Sequence, residues 1–396
     1  MSQTVSPEVS PVVQPSEPGT PLPLATPSPG RAPSSPEPAA SATLSGRAPS
    51  SPGPGTRPPV TPSYEPATRP GPAPSYEPAT PPGGPAAPRR FPADFKDRLT
   101  CPLPDFREIV SVTWHGGLRP DIGDVDQIPV LRAGLPPVAA QDAAVTWVGH
   151  ATYVLRIGGL TVLTDPVWSR KIPGVRQRLT PPGLAWSDLP PVDAVVISHN
   201  HYDHLDAPTM RRLPRHTPVF VPANLASWFT KRGFTNVTEL DWWESAQIGE
   251  VSFDFVPAHH WSRRTLFDTC KSLWGGWVLT SPRQRIYFAG DTAYGDRFKQ
   301  IGERYPGIDL ALMPVGAYEP RWFMHVTHVD PAEAVQACQD VGARRMATMH
   351  WGTFVLSGEP LMAPVQETRA AWIAAGRDRA DLWDLAVGET RTLTAG

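Results

Sequence analysis

The sequence predicts a domain of the α/β class (α+β in some schemes) that follows a long proline-rich segment. Short apolar runs rich in β-branched residues, interspersed with helical stretches, recur through residues 91–396. Several of these runs end in histidine or aspartate. The 51 prolines are unevenly placed, and Pro, Ala, Ser, Gly and Thr dominate residues 1–90. We therefore expect one large globular domain over 91–396.

Residues 1–90 are predicted to be a disordered tail. Their composition cannot bury enough apolar surface to offset the entropy lost on ordering, and their proline content favours polyproline II. Two short sequences recur, 30–36 at 46–52 and 62–68 at 74–80, but neither offers an apolar face on which repeats could stack. Two interpretations remain open. The tail is either a tether or docking site for a proline-recognising partner, or a spacer without a specific role.

Charge, cysteine content and the chain start narrow the class of protein. The net charge of −2 gives no sign of a clustered basic face, so we expect no nucleic-acid partner. The three scattered cysteines match no disulfide framework and are expected to be reduced. No signal peptide is recognisable, and no run approaches the roughly 18 apolar residues that span a bilayer. We expect a cytoplasmic protein, either soluble or peripheral at a membrane surface.

The predicted strands share one property, which is that polar residues follow each of them directly. Function concentrates at such ends because a rigid scaffold positions them, so we expect one site at one rim of a sheet assembly. The strands are 145–148 before His150, 160–164 before Asp165, 194–198 before His199, 251–256 before His259 and His260, 286–289 before Asp291, and 346–349 before His350. Helices are predicted at 207–213, 223–232, 296–304, 331–341 and 364–375, the fourth with Asp330 as N-cap and proline in its first turn.

The run 199–204 contains four potential metal ligands, His199, His201, Asp203 and His204. Imidazole nitrogens and carboxylate oxygens are the usual ligands of zinc and similar divalent ions. In an extended segment His199 and His201 project to the same side. Asp203 and His204 follow as the chain turns and can reach a second ion. The run therefore predicts two metal sites close together.

The remaining ligands must come from other strand ends. His260 would complete the site of His199 and His201, and His350 would complete the site of Asp203 and His204. Asp291 can place its carboxylate between the two ions. His259 competes with His260, because spacing alone does not decide between adjacent residues. For each histidine taken alone, a packed or surface role is the alternative.

These motifs resemble the metallo-β-lactamase superfamily. The resemblance covers roughly residues 143–352 and implies an αββα sandwich, with two sheets packed face to face and the metals at one edge. Further motifs resemble the N-acyl-phosphatidylethanolamine-hydrolysing phospholipase D family from about residue 114 to about residue 390. They are 241–244, 260–265, 273–277, 316–324, 328–334 and 350–353, of which 316–324 is the most diagnostic.

The family resemblance implies a role for each position. It assigns His199, His201 and His260 to one zinc ion, Asp203, His204 and His350 to the other, and Asp291 to a bridging position. The family has a non-histidine residue where His259 stands, which favours His260 as the ligand. His328 matches a family active-site histidine outside the metal set. Thr327 stands where animal members are expected to have glutamine, which leaves substrate preference open. The resemblance also suggests a homodimer.

The expected reaction is hydrolysis of a phosphodiester at two divalent ions, for which the ligand types suit Zn²⁺. A hydroxide bridging the ions would attack phosphorus, with Asp203, Asp291 and His328 as candidate catalytic residues. The family resemblance implies N-acylphosphatidylethanolamine as the phospholipid substrate, giving an N-acylethanolamine and phosphatidic acid. His328 either contacts the phosphate, protonates the leaving oxygen, or orients a ligand.

Supporting roles are expected for further residues. His150 and Asp165 are predicted to fix the rotamers of metal ligands, and Tyr318 and Trp322 to lie near the substrate. Large apolar side chains form an acyl channel or an interfacial rim, or are simply core: Trp168, Trp228, Trp322, Phe323 and Met324. Two other functions are considered, a lactonase, esterase or other phosphodiesterase on the same metal site, and a scaffold protein without activity.

Overall fold

The computed structural model describes residues 91–394 apart from 115, 116, 119, 121 and 140, so the predicted tail lies outside the described residues. Within them lie fourteen strands and seven α-helices. The strands are β1 Ala143–Gly149, β2 Thr152–Ile157, β3 Leu160–Thr164, β4 Ala194–Val196, β5 Val219–Pro222, β6 Val237–Leu240, β7 Ser245–Ile248, β8 Val251–Val256, β9 Gly276–Thr280, β10 Arg285–Phe288, β11 Leu310–Pro314, β12 Arg345–Met349, β13 Leu382–Trp383 and β14 Thr390–Leu393. The helices are α1 Phe106–Trp114, α2 Ala207–Met210, α3 Ala226–Thr230, α4 Arg297–Arg304, α5 Arg321–Met324, α6 Pro331–Asp340 and α7 Ala363–Ala374.

The strands form two seven-stranded mixed sheets. The first has the order β14-β1-β2-β3-β4-β5-β6 and the second the order β13-β12-β11-β10-β9-β8-β7. The inner faces of the two sheets pack on each other. Phe220 of the first sheet stacks on Phe253 of the second with ring centroids 4.5 Å apart, and Trp277 Nε1 donates to the carbonyl of Ile197 at 3.0 Å. Fully burying each such aromatic side chain stabilises the fold by about 1.5–3 kcal/mol.

Helices cover the outer face of each sheet. Met210 of α2 and Phe229 of α3 pack with Leu163 and Val195 of the first sheet in a separate apolar cluster. On the second sheet, α6 packs against β11 and β12. This arrangement confirms the predicted αββα sandwich. No helix among the described residues has the length and apolar character needed to cross a membrane.

Helix α6 begins as the sequence predicts. Asp330 accepts from the backbone N–H of Glu333, and the Glu333 side chain accepts from the N–H of Asp330, which completes a capping box. Pro331 occupies the first helical position, where its missing N–H costs no helical hydrogen bond.

Two predicted helices are shorter than expected, and two helices were not predicted. Helix α2 ends at Met210 rather than at 213, since Pro214 disfavours helical backbone in the residue before it. Helix α3 begins at Ala226 rather than at 223, because Asn224 has a positive φ of 66°. Helix α1 was missed because its β-branched residues lower helix propensity. The four residues of α5 are too few to show a period.

The direction of the strands brings their polar ends together. In the first sheet β1, β3 and β4 run the same way, because β1 and β3 are both antiparallel to β2 and β4 is parallel to β3. In the second sheet β8, β10 and β12 also share one direction. The carboxyl ends of these strands therefore lie along one edge of each sheet, where the predicted site residues follow.

Candidate metal centre

Close contact between the two sheets builds the site. The N–H of Gly275 donates to the carbonyl of Ser198 at 3.1 Å, and the N–H of His350 donates to the carbonyl of His150 at 3.2 Å. Both bonds join the end of a strand in one sheet to the other sheet. Residues that follow β4 and β1 therefore meet residues that follow β10 and β12.

Gly290 permits this approach at the end of β10. Its φ is +62°, which favours glycine, and a Cβ there would lie 2.7 Å from the Cβ of Ser198 and 2.9 Å from the carbonyl oxygen of Gly275. A larger residue would push the two strand ends apart. The glycine thus allows the next residue, Asp291, to come within 3.9 Å of His199 Nε2.

One group of donor atoms comes from His199, His201, His260 and Asp291. His201 Nδ1 lies 2.8 Å from His199 Nε2 and 3.4 Å from His260 Nε2. Asp291 Oδ2 lies 3.8 Å from His260 Nε2. Ligands held about 2 Å from a zinc ion must lie within roughly 4 Å of one another, and these distances meet that limit.

A second group comes from His150, Asp203, His204 and His350. Asp203 Oδ2 lies 3.5 Å from His204 Nε2 and 3.7 Å from His350 Nε2. The carboxylate of Asp291 reaches this group as well, with Oδ2 3.1 Å from His204 Nε2 and Oδ1 3.2 Å from His350 Nε2. The structure thus places Asp291 between the two groups.

Three donor atoms around Asp291 lack hydrogen-bond partners, which is what a metal site requires. His204 Nε2, His350 Nε2 and Asp291 Oδ1 are buried without a hydrogen bond, although oppositely charged atoms of the same site lie nearby. Leaving a buried polar atom unsatisfied costs about 1–3 kcal/mol. Such atoms, converging from the ends of β4, β10 and β12, fit divalent cations.

Asp165 and His150 contact the other potential ligands of the second group, Asp165 at His204 and His150 at Asp203 and His350. Asp165 is fully buried, accepts from the backbone N–H of Ser198 at 2.7 Å, and has its Oδ2 2.7 Å from His204 Nδ1. His150 Nε2 lies 3.0 Å from Asp203 Oδ2, and the His150 ring is 4.1 Å from that of His350. Such contacts fix the tautomer and orientation of metal ligands. The positive φ values of His150 and Asp165, 54° and 35°, show that this placement holds strained backbone.

The structure separates the two adjacent histidines, as spacing could not. His260 points its Nε2 to the first group, and its Nδ1 lies 3.0 Å from the carbonyl oxygen of Thr327. His259 instead has Nδ1 3.0 Å from the Thr100 hydroxyl and Nε2 3.5 Å from Asp296. The role of Thr327 in holding His260 therefore comes from its backbone, which no side-chain pattern could indicate.

His328 lies at the metal groups, and the two other residues predicted to lie near the substrate, Tyr318 and Trp322, differ in burial. A His328 nitrogen falls within 4.8 Å of ligand atoms of Asp291 and His350. The Tyr318 hydroxyl donates to Glu367 at 2.9 Å, and Trp322 is 52% exposed. Tyr318 is buried, so its hydroxyl acts as a structural donor to α7.

Two supporting residues were not singled out from the sequence. Ser198 binds Asp165 through its N–H, and Thr353 Oγ1 accepts the N–H of His150 at 2.7 Å. Each lies within three residues of a predicted ligand, so position next to the motif was the signal available. A hydroxyl or an amide in a loop does not by itself reveal which carboxylate or backbone group it contacts.

The acids and histidines of the site divide into charged and neutral groups. Burial alone would raise the pKa of Asp291, but His204 and His350 outweigh it and hold the pKa well below its usual range. Burial likewise opposes the charge on His350, but Asp291 and Asp203 raise its pKa to about 9. The same carboxylates raise the pKa of His204 well above its usual value against the effect of burial. In the metal-free protein at pH 7, His204 and His350 are therefore protonated.

Metal binding at pH 7 is expected to release about two protons, because His204 and His350 must become neutral to act as ligands. Since the pKa of His350 is raised, protons compete with the metal below about pH 9, and apparent metal affinity should fall as the pH falls. Above that pH His350 is already neutral and should contribute nothing to the proton release. Calorimetric titration of metal-free protein with Zn²⁺, in buffers of different ionisation enthalpy, measures the released protons. If no protons are released, the metal does not displace protons from His204 and His350.

The comparisons with known proteins agree with this geometry. Residues 161–351 match the family described as beta-lactamase superfamily domain. The chain is 41% identical over 286 residues to an uncharacterised protein of Mycobacterium tuberculosis, spanning 67% of this chain and 74% of that protein. A metallo hydrolase of the archaeon Ignicoccus hospitalis has the same fold, with a TM-score of 0.50, 23% identity, and coverage of 64% of this chain and 99% of that chain.

The fold, the site and these matches define the class, and the chain belongs to the metallo-β-lactamase superfamily. It is a metal-dependent hydrolase. Within the superfamily it is similar to N-acyl-phosphatidylethanolamine-hydrolyzing phospholipase D 1 of Caenorhabditis elegans, with 40% identity over 268 residues that span 63% of this chain and 75% of that enzyme. The family resemblance read from the motifs is therefore confirmed.

Proposed function

We propose that the protein is a dinuclear zinc phosphodiesterase of the phospholipase D type. It hydrolyses N-acylphosphatidylethanolamine to an N-acylethanolamine and phosphatidic acid. The observation that carries the proposal is the carboxylate of Asp291, which lies between the donor atoms of the two groups of potential ligands. Similarity to the Caenorhabditis elegans phospholipase supports the choice of substrate.

The proposed ligand sets are those the family resemblance implies, and their donor types suit Zn²⁺. His199, His201 and His260 hold one ion, and Asp203, His204 and His350 hold the other. Two bound ions would lower the pKa of a shared water and offset charge on the phosphoryl group. Asp203 and Asp291 supply the negative charge that keeps both cations in place, and Asp165 and His150 keep His204 and Asp203 oriented.

His328 is proposed to donate a hydrogen bond to the phosphate. Burial lowers the pKa of His328 to about 3, so its imidazole is neutral at pH 7. A neutral imidazole is a poor proton donor to a leaving oxygen but a good N–H donor. Of the roles open from the sequence, the hydrogen bond to substrate is the one this environment favours.

Exposed apolar side chains support a lipid substrate and peripheral location at the cytoplasmic face of a membrane. Leu266 and Phe267 are 77% and 81% exposed, and they lie six and seven residues after His260 in the chain. Trp322 lines a cavity of about 560 Å³. Trp168 and Met324, two predicted candidates for an acyl channel or for the core, are buried, and Trp168 lines another cavity of about 560 Å³. Co-sedimentation with phospholipid vesicles tests the location, and protein that stays in the supernatant argues against it.

A substrate panel with metal-replete enzyme tests the function. It contains N-acylphosphatidylethanolamine, phosphatidylcholine, an acyl-homoserine lactone and bis(p-nitrophenyl) phosphate. We expect the highest kcat/KM for N-acylphosphatidylethanolamine. Preference for the lactone would contradict the phospholipase proposal and would identify a lactonase on the same metal site. Absence of turnover in fully loaded protein would favour a scaffold.

A further inference from the structure

We propose that Arg264 is a positioning residue that holds the metal-ligand loop, defined as residues 199–205, in the geometry that binds metal. The proposal rests on the metal centre of the proposed function but not on the identity of its substrate. Arg264 belongs to neither ligand group, and its guanidinium contacts backbone carbonyls of the loop and the ring of Tyr202. Its effect on the metals would therefore be indirect.

One guanidinium nitrogen binds the loop at three points. The two hydrogens of Arg264 Nη1 are shared among three carbonyl oxygens, those of Asn200 at 2.8 Å, His201 at 3.2 Å and Leu205 at 2.7 Å. The His201 carbonyl also accepts from the N–H groups of His204 and Leu205, at 3.2 Å and 2.9 Å, which closes the loop on itself. The bonds to Arg264 thus join both ends of the segment that carries His201, Asp203 and His204.

Stacking keeps the guanidinium in this place. Its carbon lies 4.1 Å from the ring centroid of Tyr202, a residue of the same loop, and 5.5 Å from that of Trp228. A planar guanidinium can stack and donate at the same time, whereas a lysine ammonium cannot stack in this way. Burial lowers the pKa of Arg264 to about 10, so the side chain is still a cation at neutral pH.

The segment 260–264 ties Arg264 to the metal centre a second time. His260 supplies a ligand atom to the first group, and the ring of Trp261 lies edge-on to His201 with centroids 4.9 Å apart. The backbone of Arg264 is fixed in turn, since its N–H donates to Asp268 Oδ1 at 3.0 Å. A short rigid segment thus provides one ligand and sets the loop that provides four others.

Removing the guanidinium should disturb the ligand atoms without removing any of them. Groups that orient metal ligands typically contribute 10–100-fold in metal affinity. We expect Arg264→Met to weaken zinc affinity by about this factor, and to change the visible absorption of the Co²⁺-substituted protein, which reports ligand geometry. Chelator competition gives the zinc dissociation constant.

Arg232 provides a matched control. Its guanidinium also stacks on Trp228, at 3.8 Å, but donates to the Trp228 carbonyl at 2.7 Å and not to the metal-ligand loop. Arg232→Met removes the same charge from the same neighbourhood, and is expected to leave zinc affinity and the cobalt spectrum unchanged. Arg264→Lys keeps the charge, and should restore part of the lost affinity.

The outcomes separate positioning from general stability. A lowered melting temperature of metal-free Arg264→Met, with wild-type zinc affinity and cobalt spectrum, would overturn the proposal. Equal losses in Arg232→Met and Arg264→Met would also overturn it. If Arg264→Met does not fold, the Lys variant decides, because wild-type affinity and spectrum there would show that the stacked guanidinium is not needed and would overturn the proposal. Wild-type protein that binds no zinc would reject the metal centre itself.

Discussion

Asp291→Asn should lower kcat/KM by about 10³-fold or more and reduce bound metal at the same time. The Asp291 carboxylate lies 3.1 Å from His204 Nε2 and 3.2 Å from His350 Nε2, and within 3.9 Å of the first group at His199. An amide has one acceptor oxygen and no charge, so it can neither bridge two cations nor offset them. Metal ions contribute several kcal/mol of transition-state stabilisation, and each 1.36 kcal/mol is tenfold in rate.

Metal content per chain and kcat/KM should be measured on the same preparation. Asp296→Asn is a suitable control, because Asp296 is 74% exposed and contacts His259 rather than either metal group. The control should keep wild-type metal content and activity. An Asp291→Asn protein with two bound ions and normal activity would remove Asp291 from the bridging position and would leave two separate metal sites.

His328→Leu is expected to lower kcat by about 10²–10³-fold, the loss that follows removal of one hydrogen-bond donor to a developing negative charge. His328→Gln should recover much of this loss, since its amide offers an N–H of similar reach. His328 Nδ1 is buried without a hydrogen-bond partner. The pKa of His328 is lowered to about 3, so its imidazole is neutral at pH 7. His328→Leu therefore removes a hydrogen-bond donor rather than a group that transfers a proton.

The dependence of kcat on pH distinguishes the two roles. If His328 is a neutral donor, wild type and His328→Gln should show the same profile between pH 5 and 9. His328 would instead be a proton donor if the wild-type kcat profile had a pH-dependent limb that both variants lack. In that case His328→Gln should be as inactive as His328→Leu. His325→Leu serves as the control, because His325 is exposed and contacts the carbonyl of Arg321.

Local sequence patterns were sufficient for some elements and insufficient for others. The capping box at Asp330 and Glu333 depends on residues three apart, so the start of α6 could be predicted. Helix α5 has too few residues to show a period, and α3 begins late because Asn224 takes a positive φ that its residue type does not specify. Strand ends that carry histidine or aspartate were visible, but their shared direction follows from which strands pair.

The sequence by itself determined the ligand types and the compact run from His199 to His204, because chemistry and a two-residue alternation are local properties. It also marked His260, Asp291 and His350 as residues that follow buried strands. The tertiary structure decided which of His259 and His260 faces the metal groups. Sheet packing across Gly290 and Ser198 set Asp291 between them, and the loop after His260 brought Arg264 under three carbonyls. These contacts join residues far apart in the chain, where no spacing encodes distance.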